Sequence, residues 1–339
     1  MTSRETTHRK ERSSLVMLWR YARPAWKSFA LILVLTPIGV LVSVAIPLLL
    51  GRAVDGPIAN RDINGIIWSA LFILLAGTFD AGVNWLRRWI MSDVTSHIEA
   101  SMRFDLFDKL QALQMGFHKR WESGQLLSRI MSDLGLLRRF MSFGLLMLIL
   151  DSLRIVVVLA IMVTMYWQLG LIVLALIVPV VLITWRLVTR SARISREVQD
   201  ATGDVASLAE ESLHGVRVIR SFGRVKYAFD KFDEGAIKLR DLGVRRMNLA
   251  SVLWTLLEVF PNVLLVLISG GAAYAAAAGM LTLGQVVAFV TLLLSIAWPI
   301  GGLGFLLSFA GEAAAAADRV VEVFDEPITI RSGTRTIAE

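Results

Sequence analysis

Four ionisable side chains, Asp80, Asp151, Arg154 and Glu258, stand inside stretches of the chain that are otherwise apolar. An ionised group at the centre of a membrane helix costs at least about 2.5 kcal/mol, so each of them needs water or a partner. Asp151 and Arg154 lie three apart on one helix face, where they can pair with each other. Glu258 stands one turn from Pro261 and Asn262, which offer free backbone or amide hydrogen-bonding groups. Together Glu258 and Asp80 would line a path for cationic or zwitterionic cargo; the competing reading is a carboxylate bonded to a neighbouring helix. Other chemistry lacks its residues. Cysteine is absent, which removes disulfides, thiolate metal sites and thiol nucleophiles. The four histidines, His8, His97, His118 and His214, are too dispersed for metal-ligand spacing. No G-x-x-x-x-G-K-[ST], G-x-S-x-G or H-E-x-x-H pattern occurs. The chain alone is expected to be catalytically inert, with no cofactor and no metal.

The elements that must position these charges are six apolar runs, near residues 29–50, 66–85, 143–167, 169–187, 252–279 and 281–310. A hydrophobic fraction of 55% and a mean hydropathy of +0.63 are too apolar for a soluble chain of this length. About 20 apolar residues cross a bilayer, and lipid cannot satisfy an open backbone, so all six are expected to be helices. Of the 35 basic residues, only Arg52 and Arg61 fall between the first two runs, and none falls in the other two short turns. Cytoplasmic segments hold the excess of Lys and Arg, so both termini and both long polar stretches are expected in the cytoplasm. The charge of +7 is thus a topology signal, and no separate basic domain supports a nucleic-acid partner. The first run lacks a small-residue cleavage pattern and is expected to stay in the mature protein.

Residues 87–141 and 186–250 are polar, contain no proline and keep helical periodicity, as in Ile98, Met102, Leu106 and Leu110. They read as membrane helices continuing into water, each descending, turning and returning, with a reach of roughly 35 to 40 Å per arm. Their apolar stripes need partners: each other, and a second copy or a homologous subunit. Residues 1–14 read as a disordered tail. Residues 15–28 alternate Trp19, Ala22 and Trp26 with Arg20, Arg23 and Lys27, a pattern that fits a helix lying on the membrane lipids. Pro24 is expected to bend it.

The most specific stretch starts at Met102-Arg103-Phe104-Asp105-Leu106-Phe107, passes Phe117, and ends in Gly124-Gln125-Leu126-Leu127-Ser128-Arg129-Ile130-Met131-Ser132-Asp133. With Pro47, Gly51 and Asp55, the Gly215-Val216-Arg217-Val218 segment, the run from Gly279 to Gly284, and Ala317-Asp318-Arg319-Val320, it resembles the transmembrane domain of an ABC exporter of the half-transporter type. The resemblance covers residues 15–327 and implies an all-α membrane fold: six transmembrane helices with two long cytoplasmic helical extensions. It implies a dimer of such domains, with a second copy or a homologous half-transporter, in the cell membrane (the inner membrane of a bacterium). It also implies two coupling helices that dock on a cytoplasmic ATPase domain. By position the first would be Phe117, His118, Lys119, Arg120, Trp121 and Glu122, and the second Phe222, Gly223, Arg224, Val225, Lys226 and Tyr227. Phe117, Trp121, Phe222 and Tyr227 would plug into grooves, and Lys119, Arg120, Arg224 and Lys226 would form a charged rim.

ATP and Mg2+ would belong to that ATPase domain, toward which 328–339 reads as a linker. The Ser-Gly-Gly at 269–271, which matches the family's nucleotide signature in letters, sits in an Ala-rich span, where close helix packing explains it better. The expected function is the translocation path of an ATP-driven exporter of a small molecule or lipid, alternating between inward-open and outward-open shapes. The rival is a membrane adaptor or regulatory subunit on the same scaffold, working without an ATPase.

Overall fold

The computed structural model describes residues 19–329. The tail 1–14, the first residues of the 15–28 helix and most of the 328–339 linker lie outside the described residues. Six long helices dominate: α1 (Trp19–Ile58), α2 (Ile63–Ala112), α4 (Ser123–Met165), α5 (Trp167–His214), α7 (Val225–Ala277) and α8 (Leu283–Asp325). Two short ones, α3 (Met115–Arg120) and α6 (Val216–Ser221), sit between α2 and α4 and between α5 and α7. All six long helices have the length and apolar composition to cross a membrane, and the protein is an integral membrane protein. As the missing prolines predict, α2, α5 and α7 run through the apolar spans into the polar arms without a break. At 1.5 Å per residue, helices of 48 to 53 residues are about 72 to 80 Å long. Pro24 falls in a 3-10 turn, Arg23–Ala25, where its missing N–H costs no α-helical bond.

Two cores hold the bundle. The membrane core draws Val40 and Val44 of α1, Val158 and Met162 of α4, Val173 and Ile177 of α5, Ile268 of α7, and Phe289 and Ile296 of α8. The arm core is separate and joins α2, α3, α4 and the last turns of α8 through Met102, Leu106, Leu110, Phe117, Leu134, Ala316 and Val320. Nothing from α5, α6 or α7 enters it. The α5–α7 arms pack on each other; Gly235 brings the backbones close enough that a Cβ there would lie 3.3 Å from Val205 and Leu208. Their tip leaves Leu213, Val216, Val218, Phe222 and Tyr227 exposed.

α1 is fastened to the α2 arm by the Tyr21 hydroxyl, which donates to Asp105 Oδ2 at 2.6 Å. Burial, and then the Asp105 carboxylate, push the phenol above its usual value. A raised phenol pKa means a stabilising contribution present below the unfolded value of about 10 and lost as pH rises through the folded one. Tyr21→Phe is therefore expected to cost about 1 kcal/mol at neutral pH. In an alkaline absorbance titration, one of the 4 tyrosines should ionise late, and this substitution should remove that phase.

Candidate coupling sites and intramembrane charges

The turn between α2 and α4 is built inward from Leu113 and Phe117. Leu113 leaves the helix in an extended conformation, and both side chains insert into the arm core, Phe117 at 1% exposure. His118 Nε2 lies 3.1 Å from the Leu110 carbonyl and closes the turn. Trp121 stacks on Phe117 at 5.7 Å, and the Arg129 guanidinium covers its ring at 4.1 Å, a cation–π arrangement. This corrects one expectation: Phe117 locks the tip to its own arm and is not free to fill a partner's groove. α3 covers Met115–Arg120, so Trp121 and Glu122 lie in the extended connection after it. The outward face consists of Met115, His118, Lys119 and Arg120, with Met115 72% exposed.

Against this tip lies the end of α8. Arg319 grips Asp133 with two bonds, Nε to Oδ2 at 2.9 Å and Nη2 to Oδ1 at 2.6 Å. The Asp133 carboxylate holds the Arg319 guanidinium still more firmly protonated. Arg129 donates to the Arg319 carbonyl at 2.5 Å and pairs with Glu322 at 3.0 Å. Arg120 pairs with Glu326 at 2.8 Å. A π-type turn, Arg129–Asp133, turns both Arg129 and Asp133 inward toward α8; such turns recur at functional sites. On the neighbouring surface Glu99 joins Arg103 and Arg138, bracing α2 on α4.

The second tip differs from the expected one. Its short helix is Val216–Ser221, directly after the Gly215 break. Phe222, Gly223 and Arg224 form the turn, and Val225, Lys226 and Tyr227 begin α7. Gly223 takes φ +62, a left-handed conformation that suits a residue without Cβ. Phe222 and Tyr227, 77% and 62% exposed, keep the anchor geometry that Phe117 lacks.

Within the membrane, Asp80, Arg154 and Asp151 form one neighbourhood. The Arg154 charge acts on both carboxylates, but among the described residues no ion pair joins it to either, so the expected pairing of Asp151 with Arg154 is not formed. The centre of the group is Arg87, which the sequence reading placed just past the span. It is 1% exposed, donates to Asn84 Oδ1 at 2.5 Å, and faces Gly39 of α1, where a Cβ would come within 3.6 Å of Nη1. Asp80 Oδ1 and the Arg87 Nε and Nη1 are buried without a hydrogen-bond partner. Glu258 is not brought to this group. It is exposed on α7 beside Val259, Asn262 and Val263, and the Asn262 amide bonds back to the Glu258 carbonyl at 2.8 Å.

The opposite end of the bundle carries a second tie. Asp55 of α1 accepts from the Thr282 hydroxyl at 2.5 Å and the Gly284 N–H at 2.7 Å, and Thr282 and Gln285 form a capping box on α8. Gly51 and Gly284 let the two backbones touch, since a Cβ on Gly51 would lie 2.5 Å from the Gly284 carbonyl. Two motifs that the sequence presents more than 220 residues apart are thus halves of one contact.

Six long helices, two arm pairs and a short helix at each tip are the architecture of the exporter-type membrane domain. The chain belongs to the family described as ABC transporter transmembrane region, whose model matches residues 29–300. Among curated proteins it is similar to ATP-dependent lipid A-core flippases. That of Thiobacillus denitrificans is 26% identical over 93% of this chain and 54% of its own length; that of Dechloromonas aromatica is 29% identical over 98% and 56%. An uncharacterized ABC transporter ATP-binding protein of Bacillus subtilis is 22% identical over 91% of this chain and 52% of its own. The chain spans about half the length of the curated relatives it matches.

Proposed function

We propose that this chain is the translocation half of an ATP-driven exporter in a bacterial inner membrane, with both termini cytoplasmic. It works as a pair with a second copy or a homologous half, and it receives the ATPase stroke at its two tips. The observation that carries this reading is the first tip: a short helix locked to its arm by Phe117, showing a basic and apolar outer face, and tied by Arg120 to the end of α8. A rigid, externally complementary knob at the end of long helices is what docking a motor requires. The exposed Phe222 and Tyr227 serve the second tip in the same way. The names of the flippase relatives favour an amphiphilic cargo over a fully water-soluble one.

The test is binding of an ATPase domain, supplied as a separate protein, to this chain in membrane vesicles. Trp121→Ala and Met115→Asp are each expected to lower the bound ATPase at least tenfold. Met115 is exposed, so its substitution leaves the arm core intact and separates lost docking from lost folding. Unchanged ATPase binding in both variants refutes the reading.

A further inference from the structure

Arg87 is a cation enclosed by the bundle, at 1% exposure. Among the described residues its Nη2 bonds to Asn84 Oδ1 at 2.5 Å, while Nε and Nη1 are buried with no partner. Two turns earlier on α2, Asp80 buries Oδ1 without a partner as well, so no direct bond joins that oxygen to the guanidinium. Both atoms border one spot on α1. A Cβ built on Gly39 would lie 3.4 Å from Val83 Cγ1, 3.6 Å from Arg87 Nη1 and 3.9 Å from Asp80 Oδ1. Those are ordinary contact distances, so the hollow beside Gly39 has room for one further heavy atom. Gly39 itself is buried. Thr36, one turn away on α1, commits its hydroxyl to the Ile32 carbonyl at 2.7 Å and does not serve the hollow.

An occupant of this hollow must accept a hydrogen bond from the guanidinium and donate one to the carboxylate. A metal cation fails the first requirement, a halide fails the second, and an apolar group fails both. Water meets both and has the right size, and buried waters sit where otherwise unsatisfied polar groups converge. We propose that the hollow beside Gly39 is a binding site for a single water molecule, which accepts from Arg87 Nη1 and donates to Asp80 Oδ1. Two charges that hydrocarbon would penalise singly are thereby joined into a water-mediated pair at the α1–α2 contact. Gly39 is the residue that makes the room. This gives Asp80 a role at a helix contact in place of the cargo path, and it does not depend on the exporter reading.

The sign of one substitution tests the site. Gly39→Ala fills the hollow with a methyl group that overlaps nothing, and helix propensity ranks Ala above Gly, so a glycine kept for packing alone predicts a higher unfolding temperature in lipid. The water site predicts the reverse: the methyl displaces the water, strands Nη1 and Oδ1, and lowers the unfolding temperature by about 3 °C or more. Gly39→Ser places a hydroxyl where the water sits and should recover at least half of that loss, although Ser is a poorer helix former than Ala. A Gly39→Ala protein that unfolds at or above the native temperature overturns the site, and so does a Gly39→Ser protein no more stable than Gly39→Ala. The native protein supplies a second measurement. In water-edited solid-state NMR of arginine-labelled protein in lipid, water magnetisation should reach the Arg87 guanidinium, identified by the signals that vanish in Arg87→Lys. No transfer to those signals overturns the proposal even where a Gly39 variant fails to fold.

Discussion

Arg319→Ala is expected to destabilise the protein more than any other single change on the arms. Asp133 is 6% exposed, and Arg319 is the partner that satisfies both of its oxygens. Removing the guanidinium leaves a buried carboxylate uncompensated, a loss of about 3 to 5 kcal/mol for fully buried pairs. Because the Arg319 side chain is 46% exposed, water can recover part of it, and about 2 to 3 kcal/mol is expected. Arg319→Lys keeps the charge and loses the two-pronged geometry, so it should fall between the two. The decisive comparison is the double variant. Asp133→Asn combined with Arg319→Ala removes the stranded charge and should unfold at a higher temperature than Arg319→Ala alone. If the double variant is as unstable as the sum of the singles, the two side chains are not coupled. On the exporter reading, the same substitution loosens the end of α8 without releasing it, since Arg129 and Arg120 still hold it to the first tip, and transport should fall while ATP hydrolysis continues.

Gly284→Ala carries the other large effect. A methyl group on Gly284 would overlap the Gly51 carbonyl oxygen and crowd the Asp55 carboxylate, both of which belong to backbone or short side chain with little room to yield. Overpacking of this kind costs about 1 to 3 kcal/mol, and more where backbone must move. Asp55→Ala removes the bonds to Thr282 and Gly284 but creates no overlap, and should cost about 1 to 2 kcal/mol. The expected order of thermal stability in one lipid is native, then Asp55→Ala, then Gly284→Ala. A Gly284→Ala protein that unfolds at the native temperature would show that α1 and α8 do not approach each other as closely as described.

Much of the fold was legible because its signals are local. Ile98, Met102, Leu106 and Leu110 repeat at helical spacing, and all are buried. Six apolar runs and the asymmetry of Lys and Arg required nothing beyond bilayer thickness and backbone bonding. What the sequence reading missed has two physical origins. Phe117 continues the stripe of Leu106, Leu110 and Leu113 and points inward with them, so its spacing marks it as core although the family resemblance implies a docking role. Arg87 likewise occupies the stripe of Val83 and Met91, but a charge at the end of an apolar run reads locally as the end of a span. The second tip lies some six residues earlier than expected, since a helix restarts at once after Gly215. The contacts of Asp133 with Arg319 and of Asp55 with Gly284 join distant segments, and no local pattern encodes them. Only the residues of the family resemblance marked those positions, without saying that they meet.

The separation of α5 and α7 from the arm core has a mechanical meaning. The first arm pair is clamped by α8, so a push at its tip is shared among four packed elements. Among the described residues the second has no support from the arm core beyond its own two helices, and each runs unbroken from the tip to a proline inside the membrane, Pro179 on α5 and Pro261 on α7. Each proline removes one backbone hydrogen bond from its helix, so a sideways load on Phe222 would reach the membrane along two stiff rods and meet, at Pro179 and Pro261, the points where those rods yield most easily.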